Sequence, residues 1–455
     1  MEFLTTAFYF IVVISVLIAI HEFGHFIAAR MTGMRTEVFA IGMGQRVMGF
    51  NKITGFTFGS LPKDIDLNGF TDYRISLFPI GGYVKISGMV DESMDTNYEE
   101  TEPQPWEFRS KNTFQKAFVI SAGVLMNMLL AVGIFSYIIF NTGEYVSNTT
   151  EIGYVKEGSV ADKFGFKEGD EILSINGNDV EDWNGMLEKL TFSDFGDNKV
   201  IKLRRNGNLQ TLNIEGKEIV KSMVDEKGFG FASTGRRVVV TLVNDPSPAS
   251  EAGIKAGDTI ISVNKQDINS VPELQAVFGG FKKKTTTVEI KRNNDIIAKS
   301  VRPNNEGMIG IGISSAFTGP VEHRKYGLFE SLAYGIDRTV QSVNLFFGSI
   351  MQMIEGTISV KQSIGGPIMI AKSAAQQAEM GWQSFLSFMA LLSVSLAIIN
   401  IAPFPALDGG HLVFILIEGV MGREVSVKIK MAFQQAGIIL LFLLMAFIIY
   451  LDFTR

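Results

Sequence analysis

Apolar residues in this chain are concentrated in four long runs near its two ends. The runs cover residues 3–29, 114–140, 385–417 and 431–451. Each is long enough to cross the hydrocarbon core of a bilayer, which takes about 20 residues of α-helix. The pattern predicts a multi-span α-helical membrane protein with four transmembrane helices, which we place at 1–30, 114–140, 385–420 and 430–452.

The distribution of basic residues predicts how these helices are oriented. Residues 1–20 contain no Lys or Arg, unlike the basic start of a signal peptide, so we expect the first run to be retained as a helix. Arg30 and Arg35 follow this run, and Arg423 and Lys430 lie between the third and fourth runs. Because Lys and Arg are enriched on the cytoplasmic side, we expect the N-terminus and residues 150–303 to lie outside the cytoplasm.

The region between the second and third runs contains an internal repeat. The segment from Gly165 to Asn176 recurs as Gly253 to Asn264, with the same Gly-Asp turn and the same alternating strand. This pattern resembles PDZ domains of the bacterial, circularly permuted type. We therefore predict two tandem α+β PDZ domains at 150–225 and 230–303, with a generic pair of small β-domains as the alternative.

Two connecting regions complete the predicted organisation. The cytoplasmic-side loop at 31–113 contains alternating runs around Gly81 and Gly82, which predict a β-hairpin with a glycine turn or bulge. The linker at 304–384 mixes apolar and polar residues at helical spacing over 328–354. Such a segment is typical of an amphipathic helix at the membrane surface.

Three ionisable side chains, His21, Glu22 and His25, interrupt the first apolar run and form an H-E-x-x-H motif. On a helix, residues four apart share a face, so both imidazoles can bind one zinc ion. The glutamate then lies where it can take a proton from metal-bound water. Ionisable groups inside a span are costly unless they face a cavity and serve a function. The motif predicts a centre with one zinc ion, and buried structural histidines are the alternative.

A catalytic zinc centre needs a third protein ligand, and the sequence near the motif supplies none. Residues 26–31 contain no histidine, and Glu37, the nearest acid, lies beyond the basic edge of the span. The second and fourth runs contain no Asp, Glu or His, whereas the third contains Asp408 and His411. Because two histidines and one carboxylate are a standard catalytic set, Asp408 is the predicted third ligand.

Prolines and glycines interrupt the third run around this ligand, in the string from Asn400 through Pro403 and Asp408 to His411. Non-helical backbone at membrane depth is tolerated only within protein or around a water-filled cavity, and hydrolysis needs such a cavity. Asn400 either donates a hydrogen bond to the substrate or oxyanion, or caps the broken helix. His411 either orients Asp408 or stabilises an oxyanion, or else packs between helices.

Composition excludes other kinds of site. The chain has no cysteine, which rules out disulfides, thiolate metal ligands and a cysteine nucleophile. Its net charge of −6 is spread thinly along the chain, so a nucleic-acid partner is not indicated.

These motifs closely resemble those of the site-2 protease family of intramembrane zinc metalloproteases, in particular its bacterial branch that regulates the sigma-E envelope stress response. The resemblance covers nearly the whole chain and is most specific where L-D-G follows N-x-x-P-x-P. The other matching segments are the HEFGH motif, 79–85, 122–127, the tandem PDZ domains and 365–371.

The resemblance implies roles for individual residues. His21, His25 and Asp408 would hold zinc, and Glu22 would be the catalytic acid and base. Asn400 and Pro403 would help to bind the substrate. A membrane-re-entrant β-loop containing Gly81, Gly82 and Tyr83 would pair with the extended substrate backbone.

The resemblance also implies substrates and a location. The expected substrates are single-span membrane proteins of the anti-sigma-factor type and remnant signal peptides, cut within the bilayer of the bacterial inner membrane. The N-terminus and the PDZ domains would be periplasmic, with the active site toward the cytoplasmic side, and peptide C-termini are candidate PDZ ligands. Two other functions compete with this one: a non-catalytic PDZ scaffold or chaperone, and a metal transporter.

Overall fold

The computed structural model describes residues 2–62, 65–89, 102–224, 229–293, 295–319, 321–359, 361 and 365–454. Part of the predicted cytoplasmic loop, residues 90–101, therefore lies outside the described residues. The chain divides into two compact units. The first comprises Met1–Thr142, Lys325–Phe347 and Ser359–Arg455, and the second comprises Gly143–Arg324 and Gly348–Ile358.

The helices and strands are numbered here in chain order. The helices are α1 (Glu2–Met31), α2 (Thr113–Thr142), α3 (Val160–Lys163), α4 (Trp183–Thr191), α5 (Gly216–Val224), α6 (Pro248–Glu251), α7 (Val271–Gly280), α8 (Leu328–Ile354), α9 (Pro367–Glu379), α10 (Trp382–Ile401), α11 (Asp408–Met421) and α12 (Val427–Phe453). The strands are β1 (Thr36–Asn51), β2 (Gly55–Phe58), β3 (Asp72–Ile86), β4 (Glu144–Val146), β5 (Ile152–Val155), β6 (Glu171–Ile175), β7 (Asn178–Asp179), β8 (Lys199–Arg205), β9 (Asn208–Ile214), β10 (Phe231–Ser233), β11 (Arg236–Val243), β12 (Thr259–Val263), β13 (Gln266–Asp267), β14 (Thr286–Arg292), β15 (Asp295–Val301), β16 (Ile311–Phe317) and β17 (Glu322–Arg324).

Four helices of the first unit, α1, α2, α10 and α12, are long and apolar enough to cross a membrane, which fits the prediction of a multi-span helical membrane protein. Helices α1, α2 and α10 bury a common core that includes Leu17, Phe135 and Val394. Val343 and Phe346 of α8 pack against the same core, so the predicted amphipathic helix contacts the spanning helices with this face. Its position at the membrane surface stays a prediction.

The third apolar run, placed at 385–420 as one transmembrane segment, is interrupted as its prolines and glycines predict, and it forms two helices. Helix α10 ends at Ile401, and α11 begins at Asp408. Pro403 and Pro405 in between have no backbone N–H and clash with a preceding helical turn, so the helix cannot continue through them. The non-helical segment packs closely on α12, where a Cβ on Gly437 would lie 2.2 Å from the Cβ of Pro405.

Strands β1, β2 and β3 form a sheet next to α1. The first half of β1 lies between two parts of β3. Ala40 of β1 is opposite Tyr83 on one side and opposite Arg74 on the other. Gly82 pairs with Ile41, next to a shift in register. The predicted glycine feature is therefore an irregularity inside a long strand, and the sheet also includes β1, which was not predicted.

The second unit repeats one arrangement of elements. The series β5, α3, β6, β7, α4, β8, β9, β10 is followed by β11, α6, β12, β13, α7, β14, β15, β16, with α5 as an addition to the first copy. In each copy the last strand pairs with the first, β10 with β5 and β16 with β11. Both closing strands lie beyond the predicted boundaries at 225 and 303, because a connection without a strand pattern precedes each of them.

The Gly-Asp turn of the repeat has the same role in both copies. Asp170 and Asp258 are almost fully buried, and each binds an arginine at the end of a strand. The bonds to Arg205 are 2.6 Å, and those to Arg292 are 2.7 and 2.8 Å. In the second copy, burial raises the pKa of Asp258, but the hydrogen bonds and charge of Arg292 outweigh burial and lower it overall.

Candidate metal centre and active site

Three predicted ligands from distant parts of the chain converge in the first unit. His21 and His25 lie one turn apart on α1, and Asp408 is the first residue of α11. The Nε2 atoms of the two histidines are 3.2 Å apart. Asp408 Oδ2 lies 3.0 Å from His21 Nε2 and 3.3 Å from His25 Nε2. Among the described residues, these form a group of side chains that could hold a metal ion.

The distances fit a zinc ion. Ligand atoms about 2.0–2.1 Å from one ion at tetrahedral angles lie about 3.3 Å from one another, close to the three separations observed. Asp408 Oδ2 is buried, and within the described structure it accepts no hydrogen bond. Three atoms with lone pairs thus face one point, which is the arrangement that a cation stabilises. The set leaves a fourth tetrahedral position for water or substrate.

Helix α2 provides the space and the hydrogen bonds around the two histidines. A Cβ on Gly123 would lie 2.5 Å from His25 Nε2 and 2.8 Å from His21 Nε2, so only glycine leaves room for both rings. His25 Nδ1 donates to the carbonyl oxygen of Val119 at 2.8 Å. This bond puts the proton of a neutral imidazole on Nδ1 and leaves a lone pair on Nε2 for a metal. His21 Nδ1 lies 3.3 Å from the carboxamide of Asn127.

Glycine in the H-E-x-x-H motif is explained by the same helix contact. A Cβ on Gly24 would lie 2.3 Å from the carbonyl oxygen of Ala122 on α2. Helices α1 and α2 can approach this closely because α1 has no side chain at this position, where a Cβ would also lie 2.8 Å from Cγ of Met126. The close crossing places the α2 backbone against the rings of His21 and His25.

A cavity of about 260 Å³ adjoins the three ligands. Glu22 lines it, and its carboxylate accepts a hydrogen bond from the backbone of Val84. Asn400 also lines the cavity, and its Nδ2 lies 3.4 Å from His21 Nε2. The predicted auxiliary residue His411 is part of the lining. A peptide carbonyl in this cavity would therefore meet a carboxylate and an amide beside the metal position.

Strand β3 forms one wall of the cavity. Gly81, Gly82 and Tyr83 all line it, as predicted for substrate-binding residues. A Cβ on Gly82 would lie 2.8 Å from the carbonyl oxygen of Ala40 and 3.3 Å from Cγ of Glu22. The strand can lie against Glu22 because this position has no side chain.

Pro403 is placed differently from the other predicted substrate-binding residues. It belongs to the segment between α10 and α11, and the described cavity lining includes its neighbours Asn400, Ala406 and Leu407 but not Pro403 itself. Its evident structural effect is to end α10, which frees the backbone that carries Asp408 toward the histidines.

Several residues of the site were not identified from the sequence. Val119, Gly123 and Asn127 lie four residues apart on one face of α2, against the histidines. The segment 122–127 belongs to the family resemblance, which implies no role for its individual residues. A buried asparagine within an apolar span was the available signal, because polar residues at that depth are costly without a partner.

The similarity of this chain to known proteins extends over all the residues of the site. The family model described as peptidase family M50 matches residues 9–444. The chain is 32% identical over 472 residues to the regulator of sigma E protease of Haemophilus influenzae, with 100% of both chains covered. It is 32% identical to a putative zinc metalloprotease of Pasteurella multocida over 475 residues, again with 100% of both covered. It is also 32% identical over 465 residues to the regulator of sigma-E protease RseP of Escherichia coli, covering 98% of each.

Proposed function

This chain belongs to peptidase family M50, and we propose that it is an intramembrane zinc endopeptidase that cuts single-span membrane proteins within or near their transmembrane segments. It is a zinc metalloprotease, as its relatives are named. The observation that carries the proposal is the cluster of His21, His25 and Asp408, whose ligand atoms lie 3.0 to 3.3 Å apart between helices of a membrane unit.

The proposed roles follow from these positions. His21, His25 and Asp408 hold the zinc ion, which lowers the pKa of a bound water and polarises the scissile carbonyl. Glu22 takes the proton of the attacking water and delivers it to the leaving amine. The N–H of Val84 holds the Glu22 carboxylate toward the cavity. Asn400 donates a hydrogen bond from Nδ2 to the developing oxyanion, and His411 orients the carboxylate of Asp408.

Strand β3 binds the substrate in an extended form. A transmembrane helix keeps its peptide bonds inside its own hydrogen-bonded ladder, so a segment must unwind before it can be cut. An extended segment recovers backbone hydrogen bonds by pairing with the edge of a sheet. Gly82 and Tyr83 lie at such an edge beside Glu22.

Replacing Gly82→Pro should raise KM for a transmembrane substrate while zinc content is unchanged, and an unchanged KM would refute this role.

The expected substrates are anti-sigma-factor stumps and remnant signal peptides in a bacterial inner membrane. This expectation is supported by the names of relatives that regulate sigma E. The repeated β-domains of the second unit act as PDZ domains on the periplasmic side. In the second copy, α7 packs beside the edge strand β16, an arrangement suited to adding a peptide strand. Binding of peptides with free but not amidated C-termini to the full-length protein tests this role, and equal binding of both forms contradicts it.

Orientation can be tested without removing native cysteines, because the chain has none. Single cysteines at Lys217, in the second unit, and at Arg423, between α11 and α12, should react with an impermeant maleimide from opposite sides of the membrane. Reaction of both positions from one side would overturn the proposed topology.

The catalytic mechanism is tested by replacing Glu22→Gln. The variant should bind zinc like the wild type, because Glu22 is not a ligand, but cleave a reporter transmembrane segment about 10²–10⁴-fold more slowly. Glu379→Gln, at an exposed position on α9, is the matched control and should be fully active. Unchanged cleavage by the Glu22 variant would refute the mechanism. A scaffold or a metal transporter would show no cleavage in the wild type either.

A further inference from the structure

The side chain of Asn127 is fully buried in α2 and has no role in the proposed chemistry. Its carboxamide nitrogen is placed 3.3 Å from His21 Nδ1. Its carboxamide oxygen is buried and, within the described structure, has no hydrogen-bond partner. Burying such an oxygen without a donor costs about 1–3 kcal/mol, so this arrangement needs an explanation.

The chemistry of His21 provides one, and this step rests on the proposed role of His21 as a zinc ligand. A neutral imidazole that binds a metal through Nε2 carries its proton on Nδ1, which is then a donor. An amide NH₂ at this place would set a donor against a donor. The two ends of a carboxamide have the same shape, so its hydrogen-bond partners decide which end faces the ring. With the oxygen facing His21, the donor conflict is removed and the oxygen gains a donor, while the NH₂ takes the buried position that the oxygen leaves.

We propose that Asn127 is a positioning residue for the metal centre, whose Oδ1 accepts the Nδ1–H of His21 and fixes both the tautomer and the direction of that ring. Helix α2 then provides a hydrogen-bond acceptor for the Nδ1–H of each histidine. Val119 supplies a backbone oxygen to His25, and Asn127, with its carboxamide turned, supplies a side-chain oxygen to His21. Gly123, midway between them on the same face, leaves the space for both rings.

The position of Asn127 is well fixed. Its backbone oxygen accepts a hydrogen bond of 2.8 Å from the hydroxyl of Ser393, which is itself fully buried on α10. The acceptor for His21 is therefore supported by a second spanning helix. A ring held in this way presents Nε2 to the metal without losing rotational freedom on binding, which is how hydrogen bonds behind a ligand raise metal affinity.

The test compares variants that keep or remove an acceptor at this position. Asn127→Asp keeps an oxygen and, as the carboxylate, cannot donate, whereas Asn127→Leu has a similar size and cannot accept. We expect the full-length Asp variant to bind zinc within a few-fold of the wild type in a chelator competition, and the Leu variant to bind about 10- to 100-fold more weakly. Asn141→Leu, an exposed asparagine on the same helix, is the matched control and should bind like the wild type.

The outcomes separate this inference from the proposed function. If Asn127 donates instead of accepting, the Asp variant loses zinc as the Leu variant does, and the inference is overturned. Wild-type affinity in the Leu variant also overturns it. If Leu unfolds the protein, Asn127→Ala gives the comparison, with thermal unfolding of the zinc-free forms as the check on folding. Full zinc affinity in His21→Ala would instead show that the proposed ligand set is wrong.

Discussion

Gly123 is the position at which one added methyl group should test the metal centre most directly. Replacing Gly123→Ala places a Cβ 2.5 Å from His25 Nε2 and 2.7 Å from His21 Cε1. Both atoms belong to rings confined by their own hydrogen bonds, so neither ring can move without losing a partner. The methyl group therefore enters the space between the two predicted zinc ligands.

The size of the effect follows from these distances. Ordinary contacts of a Cβ begin near 3.4 Å, so His25 Nε2 would have to move by about 0.9 Å, the difference between 3.4 and 2.5 Å. Metal–ligand distances tolerate about 0.2 Å. Since the displacement exceeds this tolerance about fourfold and affects two of three ligands, we expect zinc affinity to fall by more than the roughly 100-fold limit for changes behind a ligand.

Zinc content of the purified protein and chelator competition measure this loss. Gly133→Ala, on the same helix, is the control, because a Cβ there would have no described atom within 4 Å. Both changes exchange glycine for a better helix former, so helix propensity does not distinguish them. Far-UV circular dichroism should be the same for both variants. Zinc bound to the Gly123 variant with wild-type affinity would refute the assignment of the two rings as adjacent ligands.

Two further predictions concern stability. Arg292→Met removes the partner that lowers the pKa of Asp258. A lowered carboxyl pKa stabilises the fold at pH values above the unfolded pKa of about 3.9, so in pulse proteolysis at pH 7 the variant should be cleaved faster than the wild type. The difference in cleavage between the two proteins should shrink below about pH 4. A difference that grows on acidification would contradict this sign. Asp452→Ala removes the carboxylate that accepts hydrogen bonds from the N–H groups of Gly366 and Ile368 at the start of α9. Loss of this cap should lower the free energy of unfolding by about 1 kcal/mol, measured by thermal unfolding, and Asp452→Asn should lower it less. An equal loss in both variants would exclude capping.

The location of the site in the molecule explains why it needs so many precise contacts. Hydrolysis requires water and charged groups, and both are unfavourable in hydrocarbon. The break between α10 and α11 frees non-helical backbone, and Pro405 in this segment packs against Gly437 of α12. Residues of β3 line the cavity beside the three candidate ligands. These contacts give the polar groups of the site protein partners that hydrocarbon lacks.

Some placements could be anticipated because they depend on spacing along one helix or on a scarce residue type. His21 and His25 share a face because they are four residues apart, which the sequence alone states. Asp408 could be proposed as a ligand because few groups in the apolar runs can bind a metal. The predicted first domain ends at 225 and the second at 303, so β10 and β16 fall beyond the ends of their own copies, because the connection before each strand has no clear strand pattern. Strand β1 pairs with β2 at positions 4 to 10 residues away and with β3 at positions tens of residues away, and the second pairing leaves no local signal.

Which segments can cross a membrane, which side chains can bind zinc and that two similar β-domains separate the helices can all be inferred from the amino-acid order. Those properties follow from local periodicity and from the chemistry of individual residues. The packing of the folded chain was needed to learn that α2 faces the histidines with Val119, Gly123 and Asn127, and that Gly82 lies against Glu22. A carbonyl oxygen, a missing side chain and a carboxamide acquire these roles from neighbours 60 to 106 residues away, and no local pattern records such proximity.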